Sequence, residues 1–131
     1  MQFCTVVLAL SAWLLSDLPP TTGICDRLLH STAWVLAGSE GRGTGVVVDE
    51  QKKWLLTCYH VVGDAKTADV VFPAYRDGKL IGEREYYRRE LGKLRIIARV
   101  IRRDKDRDLA LLELPELPRG IIALPLAKLP E

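Results

Sequence analysis

The stretch WLLTCYHVV, residues 54–62, decides how this chain of 131 residues is interpreted. It begins with aromatic and aliphatic residues, WLL, which favour a buried strand because such side chains fit a pleated surface that is half covered. The strand character ends at Thr57, and the polar turn that follows carries His60. The sequence therefore presents a histidine at the end of a core strand. There a rigid backbone can hold an imidazole that exchanges protons near neutral pH.

A single histidine more often satisfies a nearby backbone group than takes part in catalysis. Whether His60 is catalytic therefore depends on the rest of the chain. An apolar share of 48% against 27% charged residues is typical of a folded globular protein, and 131 residues make one small domain. Between Arg76 and Arg107, 12 Lys or Arg accompany 6 Asp or Glu. A solvated basic face is the usual cause of such a run. Only Tyr86 and Tyr87 lie near it, so no nucleic-acid partner is predicted.

The N-terminus carries an apolar run, Val6 to Leu15, which is too short to span a bilayer but has the length of a signal-peptide core. No Lys or Arg precedes it, and residues 17–20 offer no clear small-residue cleavage site. A strand or helix packed on the domain is therefore an equal alternative. If the run is a signal, the protein is extracytoplasmic, either secreted or periplasmic. Membrane contact is expected only through this segment, as a signal or an anchor.

Composition also suggests boundaries within the chain. Residues 19–23, PPTTG, form a cluster of helix and strand breakers that we interpret as a linker. The predicted divisions are an N-terminal segment with linker (1–23), a folded domain (24–114) and a proline-rich connector (115–131).

Three cysteines, at positions 4, 25 and 58, leave several interpretations open. If the N-terminus is removed, Cys25 and Cys58 remain as a pair that could bridge in an oxidising compartment. A zinc site of Cys25, His30, Cys58 and His60 has the right ligand types. However, one residue between Cys58 and His60 is fewer than the usual two to four. We therefore expect reduced thiols that behave as small buried hydrophobes, with no metal and no cofactor.

Strand signals follow one another at short intervals along the chain. Residues 31–37, STAWVLA, form a first strand, and residues 41–49, GRGTGVVVD, open a second. The glycines do not form a phosphate loop, because neither a Walker lysine pattern nor a helix follows. Gly43 and Gly45 instead predict places where the backbone bends or approaches another strand.

Later segments continue this pattern with one exception. Residues 69–75 form a strand whose Pro73 suggests an edge or a bulge, and the Asp-Gly of residues 76–79 predicts a hairpin turn. Residues 83–93 are the exception, a charged helix or loop with a Glu85/Arg89 pair at helical spacing and with Gly92 where a helix would stop. In residues 94–101, alternate positions form an apolar face that belongs to the core. These positions are Leu94, Ile96, Ala98 and Val100.

Three segments, GRGTGVVV, LLTCYHVV and DLALLEL, resemble in this order and spacing the first half of a chymotrypsin-fold serine peptidase of the bacterial trypsin-like or HtrA-like kind. The resemblance covers residues 31–126. It implies an all-β fold, a Greek-key β-barrel equivalent to the first of two barrels, with a charged helix or loop inserted. It also implies that His60 is the general base and Asp108 its orienting carboxylate. In such a pair the aspartate fixes the tautomer and stabilises the imidazolium.

The departures from the family pattern are as informative as the matches. Cys58 stands where the family has a small or amide residue, and Val61 stands where animal trypsins have a cysteine, so their disulfide is not implied. The family's nucleophile lies in a glycine-flanked serine motif of the second barrel. All four serines here precede His60 and lack that motif. These serines are Ser11, Ser16, Ser31 and Ser39.

The resemblance therefore implies a serine endopeptidase acting on polypeptides by a Ser-His-Asp mechanism. This chain carries His60 and Asp108 and is expected to be truncated and inactive alone, so its predicted partner is a chain supplying the second barrel. The alternative is a non-catalytic protein-binding module or remnant. If the second barrel is missing, the face that bears the pair is expected to be partly open, with Val61, Val62 and Leu109 near it.

Overall fold

The structure is a computed structural model that describes residues 20–128. Its helices are α1 (Pro20–Leu29), α2 (Tyr59–Val62) and α3 (Arg84–Leu94). Its strands are β1 (Thr32–Ala37), β2 (Gly41–Asp49), β3 (Trp54–Thr57), β4 (Thr67–Val71), β5 (Tyr75–Arg76), β6 (Lys79–Leu80), β7 (Ile96–Asp104) and β8 (Leu109–Glu113). The apolar run Val6 to Leu15 and Cys4 lie outside the described residues. Within residues 20–128, none of the helices has the length and apolar character needed to cross a membrane.

Six strands close into an antiparallel barrel in the order β1-β2-β3-β8-β7-β4. The barrel closes because β1 pairs with β2 on one side and with β4 on the other. The two remaining strands, β5 and β6, form a separate hairpin. The predicted all-β barrel with a charged insertion is thus confirmed, and α3 is the insertion.

Alternate residues of each barrel strand point into the core, as the period-2 apolar pattern requires. In β1, Ala33, Val35 and Ala37 are buried while Trp34 between them is 47% exposed. The largest fully buried side chains come from five strands and the residue that follows β8; they are Val35, Val47, Leu55, Val70, Leu112 and Leu114. Complete burial of each such side chain contributes about 1.5–3 kcal/mol. The core is therefore the interior of the barrel.

Strand β4 differs from its prediction. It ends at Val71, so Pro73 lies beyond it, and it pairs with both β1 and β7. The expectation of an edge strand or a bulge was wrong here. A proline has no N–H to give to a neighbouring strand, and the chain leaves the barrel before reaching it.

The hairpin turn was predicted correctly, since Asp77 and Gly78 both have positive φ, 52° and 74°, as a two-residue type I′ turn requires. The predicted end of the charged helix was wrong. Helix α3 continues through Gly92 to Leu94.

The predicted ion pair within α3 was also wrong. Glu85 contacts Arg88 at 3.4 Å, and Arg89 contacts Glu90 at 3.3 Å instead. Such exposed pairs between close neighbours exchange partners at little energetic cost.

Strand β7 keeps the predicted alternation, with a shift of register between Val100 and Arg102. Ala98 is fully buried and Ile97 is 55% exposed. Ile96 and Val100, which were predicted to share the core face with Ala98, are half-buried and pack against the core.

The two ends of the described chain differ from their predicted roles as linker and connector. Residues 20–23, interpreted from the sequence as part of a linker, form the first turn of α1 instead. Residues 115–128 have no regular structure, yet the Ile122 N–H donates to the His30 carbonyl oxygen at 2.9 Å, and the Leu124 N–H donates to that of Val47 at 2.9 Å. This part of the predicted connector is therefore bonded to the barrel. The proposed domain boundaries stay a prediction.

Candidate active site

Helix α2, which carries His60, packs directly against β2 through two glycines. A Cβ atom at Gly41 would lie 2.1 Å from the Val61 carbonyl oxygen, and one at Gly43 would lie 2.5 Å from a Val61 methyl carbon. Both distances are far shorter than a van der Waals contact. The glycines are therefore required by the close approach of α2, which places His60 over the end of the barrel wall.

The sequence predicted that at Gly43 and Gly45 the backbone bends or approaches another strand. At Gly45, a Cβ atom would lie 2.1 Å from a Leu55 methyl carbon of β3, so a neighbouring strand is the partner there. At Gly43 the partner is a helical turn rather than a strand. The alternation of glycines in GRGTG is compatible with either arrangement, so the sequence could not distinguish them.

Strand β3 fixes the start of this turn. The Thr57 side chain is buried, and its hydroxyl donates to the Thr44 carbonyl oxygen at 2.9 Å. Thr57 also pairs with Ala110 of β8. The backbone that leads into His60 is thus held from both neighbouring strands.

Asp108 stands immediately before β8 in a left-handed conformation, with φ of 55°. A residue other than glycine rarely adopts this conformation, and an aspartate tolerates it better than most. The Asp108 carbonyl oxygen accepts a hydrogen bond from the Tyr59 N–H at 3.1 Å. This local turn of the chain directs the carboxylate toward α2.

The Asp108 carboxylate holds His60 by two hydrogen bonds. Its Oδ1 accepts the His60 backbone N–H at 2.8 Å, and its Oδ2 lies 2.6 Å from the His60 Nδ1. A carboxylate in this position favours the tautomer that carries its proton on Nδ1. The opposite ring nitrogen, Nε2, is then an acceptor, and the imidazole side chain is 69% exposed. The pair can therefore take a proton from a group placed beside Nε2.

These hydrogen bonds lower the pKa of Asp108. The largest cause is the bond to the His60 side chain, and the bond from the His60 backbone N–H adds to it. The carboxyl group is thus held in the charged form that an imidazolium needs as its partner.

Neither of the other two aspartates of this turn takes the place of Asp108. Asp104 binds Arg107 at 2.8 Å. Asp106 is exposed. The predicted contact of His60 with Asp108 is therefore the one that the structure contains.

A further contact was missed by the sequence interpretation. The Arg103 side chain donates from Nε to the Gly63 carbonyl oxygen at 2.9 Å, and its guanidinium also binds the Ala65 carbonyl oxygen. Gly63 ends α2 with φ of 52°, a conformation that suits glycine. Arg103 thus ties the C-terminal end of α2 to β7. In the sequence it lies within a run of charged residues and carries no distinguishing signal.

Burial around the pair differs from expectation. Val61 and Val62 are each 4% exposed, because α2 packs against β1 and β2, and only Leu109 is open at 38%. The expected apolar surface is therefore confined to Leu109.

The cysteines also differ from expectation. Cys25 is exposed and Cys58 is half-buried, and both are free thiols. The zinc site of Cys25, His30, Cys58 and His60 does not form. Among residues 20–128, the one group with metal-ligand spacing is Cys58, His60 and Asp108.

The serines within the described residues do not contact His60 by hydrogen bonds. The buried Ser31 hydroxyl donates to the Arg27 carbonyl oxygen at 2.7 Å, and Ser39 lies exposed in the turn before β2. Ser11 and Ser16 lie outside the described residues. Residues 20–128 thus hold the hydrogen-bonded pair of His60 and Asp108 without a serine bonded to it.

Comparison with known proteins identifies the barrel. Residues 43–131 match the family model described as a trypsin-like peptidase domain. No curated protein matches the chain. A crystal structure of the Rv3671c protease in its inactive form has a TM-score of 0.57 and 22% identity, over 85% of this chain and 43% of that one. The serine endoprotease from Yersinia pestis has a TM-score of 0.49 and 23% identity, over 74% of this chain and 32% of that one. The chain thus spans less than half the length of either structure.

Proposed function

We propose that this chain, which belongs to the trypsin-like peptidase family, supplies the general base and the orienting carboxylate of a serine endopeptidase. His60 is the base and Asp108 is the carboxylate. The observation that supports this assignment is the double hydrogen bond by which one carboxylate holds both the backbone and the ring of His60.

The chemistry follows from the tautomer that this pair favours. Nε2 accepts the proton of a serine hydroxyl as its oxygen attacks the peptide carbonyl, and the Asp108 carboxylate stabilises the imidazolium. Nε2 then gives the proton to the leaving amine. The exposed ring leaves room for a nucleophile and a polypeptide substrate on this side.

The remaining groups must come from outside these 131 residues. A nucleophilic serine needs glycine-flanked backbone and N–H groups that stabilise the oxyanion, and no serine here has that sequence. A second barrel, on the same polypeptide or on a partner chain, is the source that the family resemblance suggests. By the same argument, the 131-residue chain alone hydrolyses no protein.

The first test is the coding sequence beyond Glu131 and the kinetics of the protein that it encodes. An in-frame G-x-S-G-G motif is expected. In that protein, His60→Ala and Asp108→Asn should each lower kcat by about 10⁴-fold or more. Asp106→Asn is the matched control, because this aspartate lies in the same turn and is exposed; its kcat should match that of the wild type.

Three outcomes would contradict the proposal. One is full activity in His60→Ala or in Asp108→Asn. Another is hydrolysis of an unstructured protein by the purified 131-residue chain that His60→Ala abolishes. The third is a reading frame without a nucleophile motif together with a barrel that remains folded without a partner chain, which would favour the alternative of a non-catalytic binding module.

We also propose an extracytoplasmic location, on the basis of the apolar run Val6 to Leu15. N-terminal sequencing of the protein from cell fractions tests this. A mature chain beginning after this run in an extracytoplasmic fraction supports the proposal, and an intact Met1 in the cytoplasmic fraction overturns it.

A further inference from the structure

Cys58, His60 and Asp108 bring together three different kinds of metal-binding side chain. The Cys58 sulfur, a ring nitrogen of His60 and a carboxylate oxygen of Asp108 all lie within 4.8 Å of one another. The proposed proton transfer uses the imidazole and the carboxylate and has no role for a thiol.

Backbone pairing places the thiol at this site. Thr57 pairs with Ala110, and the Tyr59 N–H donates to the Asp108 carbonyl oxygen. Cys58 lies between these two contacts in an extended conformation, with φ of −84° and ψ of 145°. Its side chain packs partly against the core. Cys58 is thus held beside the start of β8 rather than carried on a free loop.

We propose that this cluster binds a soft divalent cation, Zn²⁺, through the Cys58 Sγ, the His60 Nδ1 and the Asp108 Oδ2. Thiolate, imidazole and carboxylate are the ligand types that Zn²⁺ takes in proteins. One thiolate and one carboxylate balance the charge of the dication. The exposed side of the cluster leaves a fourth position for water, as in zinc sites with three protein ligands.

The geometry requires movements of about an ångström. The Cys58 Sγ lies within 4.8 Å of the other two ligand atoms and must approach them by up to roughly 1.5 Å. Ordinary zinc–ligand distances and tetrahedral angles place ligand atoms about 3.3–3.6 Å apart. The His60 Nδ1 and the Asp108 Oδ2 are 2.6 Å apart and must separate by roughly 0.7 Å. Their side chains are 69% and 47% exposed, so rotation of either side chain is not blocked by packing.

Binding changes where the protons lie. The Cys58 thiol gives its proton to solvent, and the imidazole proton moves from Nδ1, which now holds the metal, to Nε2. An imidazole with its proton on Nε2 cannot accept one from a nucleophile there. Zn²⁺ would therefore switch off the base, a consequence that rests on the proposed function, whereas the binding itself does not.

Cobalt provides an optical test on the reduced 131-residue chain. We expect one Co²⁺ per chain, with a near-ultraviolet charge-transfer band from the thiolate and the strong visible bands of four-coordinate cobalt, both removed by added Zn²⁺. Cys58→Ser should abolish the charge-transfer band and weaken binding at least about tenfold. Loss of a residue that only hydrogen-bonds to a metal ligand already lowers metal affinity by about that factor. Asp108→Asn should weaken binding similarly and keep the band.

The other two cysteines provide matched controls. Cys4→Ser and Cys25→Ser should each keep the band and the affinity of the wild type. Cys58→Ala serves as a second variant, and thermal melts of both Cys58 variants check that they remain folded. A band that is absent from the wild type, survives in Cys58→Ser, or disappears in either control would overturn the proposal.

Nitrogen NMR of His60 tests the tautomer directly. Added Zn²⁺ should shift the Nδ1 resonance and leave the proton on Nε2, and a His60 spectrum unchanged by Zn²⁺ would overturn the site. The two proposals fail separately. If the wild type binds the metal but His60→Ala leaves kcat unchanged, only the catalytic role is wrong. If His60→Ala abolishes activity but the wild type binds neither Co²⁺ nor Zn²⁺, only the metal site is wrong.

Discussion

The junction of α2 with β8 and the excursion that carries α3 are held in different ways. At the junction, backbone atoms of α2 approach β2 across glycines, and one carboxylate binds both the ring and the N–H of His60. On α3, by contrast, exposed pairs such as Lys93 with Glu90 join residues of the same helix, and no α3 residue is fully buried. Close backbone approach tolerates no added atom, whereas exposed ion pairs contribute little to stability. Close backbone approach is therefore found at the histidine, whereas α3 is attached through the Tyr87 hydroxyl, which accepts the Ala74 N–H at 3.0 Å and donates to the Ile81 carbonyl oxygen at 2.7 Å.

The largest difference in stability is expected when one carbon atom is added at the junction and, as a control, one is added on α3. Gly41→Ala puts a Cβ against the Val61 carbonyl oxygen, and overpacking of this kind costs roughly 1–3 kcal/mol. Gly92→Ala is the matched control, because nothing lies within 4 Å of its Cβ and a helix favours alanine over glycine by about 0.5–1 kcal/mol. Denaturant melts of both variants measure this difference. Equal stability of the two variants would contradict the close approach of α2.

The next effect concerns the clamp at the end of α2. Arg103→Lys keeps the charge but loses the two-pronged contact with the carbonyl oxygens of Gly63 and Ala65. We expect a loss of about 0.5–1.5 kcal/mol and faster amide exchange in residues 63–65. Arg102→Lys is the control, since the Arg102 side chain is exposed, and it should change stability by less than about 0.5 kcal/mol. Equal exchange rates in the two variants would show that Arg103 clamps nothing.

A smaller effect is expected in acid. The hydrogen bonds from His60 lower the pKa of Asp108 from its ordinary value of 3.8. A carboxyl group with a lower pKa in the folded state stabilises the protein above its unfolded pKa. That stability is lost as the pH falls below 3.8 through the folded pKa. In Asp108→Asn, stability should therefore fall less steeply with acid over this range, as measured by melts at successive pH values. A slope that matches the wild type would mean that the carboxylate is not held in this way.

The smallest effect is expected on α3. The Lys93 side chain, followed by that of Arg89, lowers the pKa of Glu90, yet these groups lie at the surface, where solvent and salt screen them. Glu90→Gln should leave the melting temperature unchanged within error at physiological salt. A clear fall in melting temperature would show that the excursion, like the junction, depends on specific contacts.

Much of the barrel could be predicted from the sequence because its signals are local. Aromatic and aliphatic runs define β1, β3 and β8, alternating apolar residues define β7, and Asp-Gly defines the hairpin turn, without knowledge of the rest of the chain. Where a local signal was ambiguous, the prediction failed. Gly92 did not end α3, and Pro73 did not mark an edge strand.

The sequence by itself predicted the strands from residue types, and it predicted the barrel and the pair His60 and Asp108 from the resemblance to trypsin-like peptidases. Only the tertiary structure decided that residues 48 positions apart would meet through two hydrogen bonds. It also decided that Arg103 would clamp α2 and that Cys58 would lie within reach of both members of the pair. The physical reason is that these contacts depend on how closely backbones approach and on one left-handed residue, Asp108. The glycines of GRGTG indicate a bend or a close approach without fixing the element that approaches, and a single left-handed residue leaves no pattern in the sequence.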